Sequence, residues 1–285
     1  MHIRVWGCRG SLASPGPETI RYGGNTACVE VRLDDDTLII LDAGTGIRPL
    51  GLSLLSDPPP KIHLFLSHLH LDHLEGLGFF LPVWQREADL HIWGPPSPVR
   101  TLEQRVAQYF SPPLFPVHLS EIPAHPKFHD APGSEVRIGS GTILSEPIAH
   151  RGPTVGWRIS ENGRSFAYLT DHEPAQGVDL DSMSPEWISG YQVAREADVL
   201  FHDAQYTAEE YLERQGWGHS SVDHMVAFSL ACRIERPVMF HHDPLHTDDD
   251  LEKMRDHARA LWEGGGGEGE GPELAHEGME FDLSP

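Results

Sequence analysis

Residues 62–76, I-H-L-F-L-S-H-L-H-L-D-H-L-E-G, constrain this chain more than any other stretch. Ile62, Leu64 and Leu66 alternate in an apolar run, the pattern of a strand buried in a sheet. The run stops at Ser67, and His68, His70, Asp72 and His73 follow at once. In an extended loop the side chains at i and i+2 point the same way, so His68 and His70 can hold one cation together. Asp72 and His73 come one step later, where Leu74, Leu77 and Phe80 suggest the start of a helix, and they are placed to reach a second cation. The spacing reads as two metals. The plain alternative is a His-rich loop in a chain with 19 His among 285 residues; ligand types placed directly after a buried strand weigh against it.

Charge narrows the partners. Lys and Arg number 21 against 43 Asp and Glu, a net charge of −22. That field repels polyanions, so no extended nucleic-acid surface is expected, whereas a small anion at a cation pair is compatible with it. Cys8, Cys28 and Cys232 are scattered and form no CxxC pair, so neither a disulfide framework nor a thiolate zinc site is indicated. The first ten residues lack a signal-type apolar core, and nowhere do about 18 apolar residues run together. A cytoplasmic protein without a membrane segment is the expectation, organised as one domain over residues 1–285. Residues 264–271, Gly interrupted by acids, read as a flexible segment near the C-terminus.

Along the chain, strands are expected at 2–6, 27–33, 37–41, 90–93, 134–138, 142–148, 154–160, 165–169, 198–201 and 237–240, with a hairpin turn at Asn162-Gly163. Helices are expected at 99–110, 208–215, 222–233 with Ser220 or Ser221 as N-cap, and 247–262 with three acids in its first turn. The Gly/Pro/Ser-rich loop between the first two strands is long enough to form a wall of a site. Residues 111–132, rich in proline, read as an irregular cap over it. Asp42, in D-A-G-T-G, either caps the following turn or holds a ligand His by its free ring N–H. His150 and Asp171 stand at further strand ends, where separate strands can deliver ligands to one rim.

H-L-H-L-D-H at His68 to His73, D-A-G-T-G at Asp42, His150, Asp171 and the His241/His242 pair together resemble the metallo-β-lactamase superfamily. H-D-A-Q-Y at His202 and G-H-S-S at Gly218 look like the H-E-A-T-F and G-H-S-T elements of the transfer-RNA 3′-end endonuclease and related phosphodiesterases. The resemblance implies an α+β fold, a four-layer αββα sandwich with a dinuclear site at one edge. Position by position, it puts a first metal on His68, His70 and His150. A second falls to Asp72, His73 and His241, with His242 as the alternative, and Asp171 bridges both. It implies two divalent ions, Zn2+ before Mn2+ or Fe given nitrogen and oxygen ligands without thiolate. His219 resembles the residue that protonates the leaving oxygen, Asp203 sets its tautomer, and Asp72 can accept the nucleophile's proton.

The endonuclease branch carries a basic protruding arm, and no such insertion is found here. The expected activity is hydrolysis of a small or short phosphodiester: a cyclic nucleotide, a nucleotide diester or an RNA end. A lactone or thioester hydrolase on the same metals, a non-hydrolytic di-iron protein and a structural metal module are the alternatives; His70 argues against the di-iron reading, which favours a carboxylate there. The resemblance also implies a homodimer, which no residue of the sequence itself marks.

Overall fold

The structure, a computed structural model, describes residues 1–283 apart from 175 and 177, so the last two residues of the 1–285 span lie outside it. Strands β1 (His2–Gly7), β2 (Cys28–Arg32), β3 (Leu38–Leu41), β4 (Ile62–Phe65), β5 (Leu90–Gly94) and β6 (Lys127–Asp130) form the first sheet, in that order. β1 to β3 make an antiparallel meander, and β3 to β6 run parallel. The second sheet takes β7 (Val136–Ile138), β8 (Gly141–Pro147), β9 (Val155–Glu161) and β10 (Arg164–Leu169) as a meander, then β11 (Val199–Asp203), β12 (Arg236–Phe240) and β13 (Glu273–Leu274) in parallel. The strand β14 (Glu280–Asp282) returns to pair antiparallel with β1.

Alternation decides which way each sheet faces. Ile3, Val29, Val31, Ile39, Leu41 and Phe65 of the first sheet meet Trp157, Ile159, Phe166, Tyr168, Phe201 and Phe240 of the second in one buried cluster. Phe65 and Trp157 stack edge to face across it, with ring centroids 4.7 Å apart. The outer face of the first sheet packs Leu38, Ile40, Leu64 and Ile92 against α1 (Ile47–Ser53) and α2 (Leu102–Tyr109). On the far side lie α3 (Tyr191–Ala194), α5 (Val222–Ala231) and α6 (Asp248–Gly264), while α4 (Ala208–Arg214) flanks the loop that follows β11. The result is the αββα sandwich.

Local signals set the element ends. Thr101, Thr207 and Thr247 each close a capping box with the residue three positions on, and Ser221, not Ser220, caps α5. Asn162 and Gly163 both take positive φ, as a type I′ hairpin requires.

Two expectations need correction, and one feature went unassigned. The helix suggested by Leu74, Leu77 and Phe80 is instead a series of 3₁₀ turns at Leu71–His73, Leu77–Phe79 and Leu81–Trp84. Gly76, Gly78 and Pro82 are poor helix formers, and apolar spacing alone does not override them. Residues 111–132 do not cap the site: Phe115, Leu119 and Ile122 bury against α2, and the chain then adds β6 to the sheet edge. The tail after α6, unassigned from sequence, supplies an edge strand to each sheet. Among the described residues no helix is long and apolar enough to cross a membrane.

Candidate metal centre

Several strand ends of both sheets meet at one edge, and these deliver polar side chains there. Asp42 follows β3, Ser67 to His73 follow β4, His150 comes shortly after β8, Asp171 after β10, Asp203 closes β11 and His241 follows β12. Asp42 and His241 have φ of 62° and 60°, a left-handed conformation uncommon outside glycine, which the surrounding bonds hold in place.

Three overlapping sets of potential ligands result, the smallest being Asp203, His219 and His241; the other two share Asp171. His68, His70, His150 and Asp171 form one; Asp72, His73, His241 and Asp171 form the other; in each, one ligand atom per residue lies within 4.8 Å of the rest. Asp171 belongs to both. Its Oδ1 lies 3.1 Å from His73 Nε2 and 3.3 Å from His241 Nε2, whereas its Oδ2 lies 3.5 Å from His68 Nε2 and 3.6 Å from His150 Nε2.

The outer ring nitrogens fix the tautomers by elimination. His73 Nδ1 lies 2.8 Å from Asp42 Oδ2, and His150 Nδ1 lies 2.7 Å from the Gly218 carbonyl. Both partners can only accept, so each Nδ1 carries a proton and each Nε2 is the nitrogen left to face inward. His68 follows the same rule, because the Ser67 hydroxyl donates to Asp42 at 2.9 Å and is left to accept from His68 Nδ1 at 3.0 Å. The inward Nε2 of His68 and the Oδ1 of Asp171 are buried with no hydrogen-bond partner. The inward nitrogens thus lie 3.1 to 3.6 Å from the Asp171 oxygens, an arrangement made favourable by a bound cation or, at His73, by a second ring proton.

Charge counting points the same way. Asp42, Asp72, Asp171 and Asp203 are all buried. Their ion-pair partners are histidines; among the described residues neither Lys nor Arg pairs with any of them. Buried anions are costly unless neutralised. Two divalent cations would bring +4 against this −4. Proton affinities reflect the same field. Burial opposes charge on His73, yet Asp171, Asp72 and Asp42 together push its pKa well up. Burial drives that of His68 well down. Burial would raise the Asp72 and Asp171 carboxyls, but the neighbouring histidines hold both well below the usual carboxylate range.

Beside the two sets, His219 Nδ1 lies 2.7 Å from Asp203 Oδ2, and its ring stacks on His241 at 5.0 Å. Asp203 is itself fixed, accepting from the backbone amides of His172, Gln205 and Ser220. Burial opposes the imidazolium, but Asp203, with Asp171 and Asp72 behind it, lifts the His219 pKa to about 9. The loop 216–218 that carries His219 is tied down by Glu173, which accepts from the Gly216 and Gly218 amides at 2.7 and 2.8 Å and from the Tyr211 hydroxyl at 2.8 Å. Gly218 is required there: a Cβ would lie 2.3 Å from His150 Nδ1.

Every residue proposed from sequence thus reaches the cluster except the alternative. His242 turns away, 2.9 Å from the Ala275 carbonyl and edge-on to Tyr22, while His241 enters the second set. Asp42 is the orienter of His73 rather than a turn cap, and it also accepts from Ser67 and from Tyr168 Oη at 2.9 Å. The long N-terminal loop does wall the site, the Ser11 amide donating to Asp72 Oδ2 at 2.8 Å. Sequence reasoning missed Ser11, Ser67, Tyr168, Glu173 and Gln205. Ser67 and Gln205 sit inside recognised motifs and could have been found; the others arrive only through tertiary packing.

Comparisons with known proteins agree with this fold. Ribonuclease Z of Thermococcus onnurineus (strain NA1) is 24% identical over 264 residues, covering 77% of this chain and 80% of that protein. A diphosphatase from the PhnP family has the same fold, with a TM-score of 0.67 at 18% identity over 99% of this chain and 98% of that one. So does the Zn2+-bound PqqB of Methylobacterium extorquens, with a TM-score of 0.67 at 18% identity over 99% of this chain and all of the other. The family described as the beta-lactamase superfamily domain matches residues 37–242, most of the chain and nearly all of the ligand-bearing strand ends, and the protein belongs to that superfamily.

Proposed function

We propose that the protein is a dinuclear-metal-dependent phosphodiesterase of one domain over residues 1–285, acting on a small or short substrate. The observation that carries this reading is Asp171, one oxygen toward each histidine set, with the His219–Asp203 pair alongside. His68, His70 and His150 would hold one cation; Asp72, His73 and His241 the other; Asp171 would bridge. Two divalent cations so held supply a nucleophile from water near neutral pH and neutralise charge on the phosphoryl oxygens. Nitrogen and oxygen ligands without thiolate suit zinc, as does the Zn2+-bound neighbour.

The chain's own residues supply the rest. Asp72 borders the nucleophile's position and can accept its proton. His219, its Nδ1 proton held by Asp203, directs Nε2 to the open side and delivers a proton to the leaving oxygen. A thioester releases a thiolate that needs this acid less, so the dyad favours a substrate with an alkoxide leaving group, as in a nucleotide diester. Homologous ribonuclease Z supports the same class of bond.

Leu12, Leu71, Trp217 and Leu245 are exposed, each adjacent in sequence or nearly so to a residue of the site. The net charge of −22 disfavours a long polyanion and suits a short substrate. The test is hydrolysis of bis(p-nitrophenyl) phosphate, cyclic nucleotides and dinucleotides by metal-reconstituted protein. Turnover of diesters is expected; cleavage of lactones or thioesters with every diester left intact would overturn the assignment.

A further inference from the structure

Gln205 stands where the related endonucleases carry Thr in H-E-A-T-F, and its amide is fully engaged. Nε2 lies 3.1 Å from Asp243 Oδ2 and 3.3 Å from Ser11 Oγ; Oε1 lies 3.0 Å from His241 Nδ1. The carboxylate of Asp243 accepts and cannot donate, so the amide nitrogen must face it. Its oxygen then faces His241, which must place its proton on Nδ1 and its Nε2 lone pair toward Asp72 and Asp171. Asp243 is itself fixed, its other oxygen accepting from the Leu245 amide at 2.8 Å and its carbonyl from the buried Arg9 guanidinium at 3.1 Å.

We infer that Gln205, oriented by Asp243, is the positioning residue of the second cation position. It sets the tautomer and aim of His241 as Asp42 does for His73. The amide also reaches Ser11, whose backbone N–H holds Asp72, so two of the three residues unique to that position depend on one side chain. Gly10 leaves His241 no freedom to compensate from the other side: a Cβ there would lie 2.3 Å from the ring. The first position has no such dependence, since His68 and His150 are oriented by Ser67 and the Gly218 carbonyl. A threonine at 205 would be too short to reach both His241 and Asp243.

This inference rests on the dinuclear reading, and its test separates the two. Full-length protein reconstituted with Zn2+ is dialysed against graded chelator and the retained metal counted, for wild type, Gln205→Ala, Gln205→Glu and Asp243→Asn, with circular dichroism confirming the fold. For Gln205→Ala the second equivalent should be lost at roughly 10- to 100-fold lower chelator, the usual effect of removing a partner of a ligand histidine, with the first equivalent retained. Gln205→Glu sets a carboxylate against Asp243 and should not rescue; Asp243→Asn frees the amide to flip and should weaken the same equivalent to a lesser degree. Equal weakening of both equivalents, or wild-type retention in Gln205→Ala, overturns the role of Gln205 and leaves the dinuclear reading intact. Wild type holding fewer than two equivalents defeats the reading itself.

Discussion

His219 shows how much one residue's surroundings decide. On sequence its role is implied only by resemblance; in the fold its Nδ1 is claimed by a carboxylate that has three backbone donors of its own. That leaves one nitrogen for chemistry. His219→Ala is expected to lower kcat on a diester by about 10²- to 10⁴-fold while metal content stays at the wild-type level, measured by steady-state kinetics and elemental analysis. The acid must be protonated to act, so kcat should fall as pH rises through its pKa. Asp203 raises that pKa to about 9 in the metal-free protein, and cations in the adjoining sets lower it, so the limb of the loaded enzyme should lie below pH 9. In His219→Ala the limb should vanish. The hexad and the motif histidines were readable because ligand types at fixed spacing after a buried strand have few other uses. Tyr168 and Glu173 were not: the Tyr168 hydroxyl meets Asp42 across 126 residues of sequence, and nothing near either residue signals the partner.

At the level of elements, the site depends on rigid loops at strand ends. Glu173 joins the strand end after β10 to the loop that carries His219, and its carboxylate is buried. Glu173→Ala removes an acceptor from three buried or half-buried donors, and should lower stability by about 2–4 kcal/mol and loosen both His150 and His219. Urea unfolding followed by kinetics checks this; wild-type stability would show the loop to be held by other contacts. Strands were legible where apolar and polar residues alternate or where a short apolar run is bounded by turns. The elements that escaped detection are those governed by context. Leu74, Leu77 and Phe80 carry helical spacing but pack as 3₁₀ turns around Gly76, Gly78 and Pro82. β14 is short, and only its pairing with β1 makes it a strand.

Across the whole molecule, charge and buried histidines govern the response to solution conditions. Burial holds His202 at about 4 and His242 at about 3, both below an unfolded value near 6.5. The unfolded chain thus takes up protons first, so this contribution is complete above about pH 6.5 and is lost as pH falls toward 4 and 3, several kcal/mol between the two. Urea midpoints should drop steeply from pH 7 to pH 4.5, and less so in His242→Gln; an equal drop in that variant would contradict the role given to His242. The net charge of −22 makes a second demand. Repulsion of a short anionic diester is screened by salt, so kcat/KM should rise with ionic strength, the opposite of an enzyme with a basic nucleic-acid surface.

The claim beneath all of this is that separate strand ends build one cage for two cations around Asp171. Counting metal per chain in reconstituted wild type and Asp171→Asn tests it most directly. Two equivalents in wild type and fewer than one in the variant are expected. At most one equivalent in wild type, or two retained in Asp171→Asn, would contradict it.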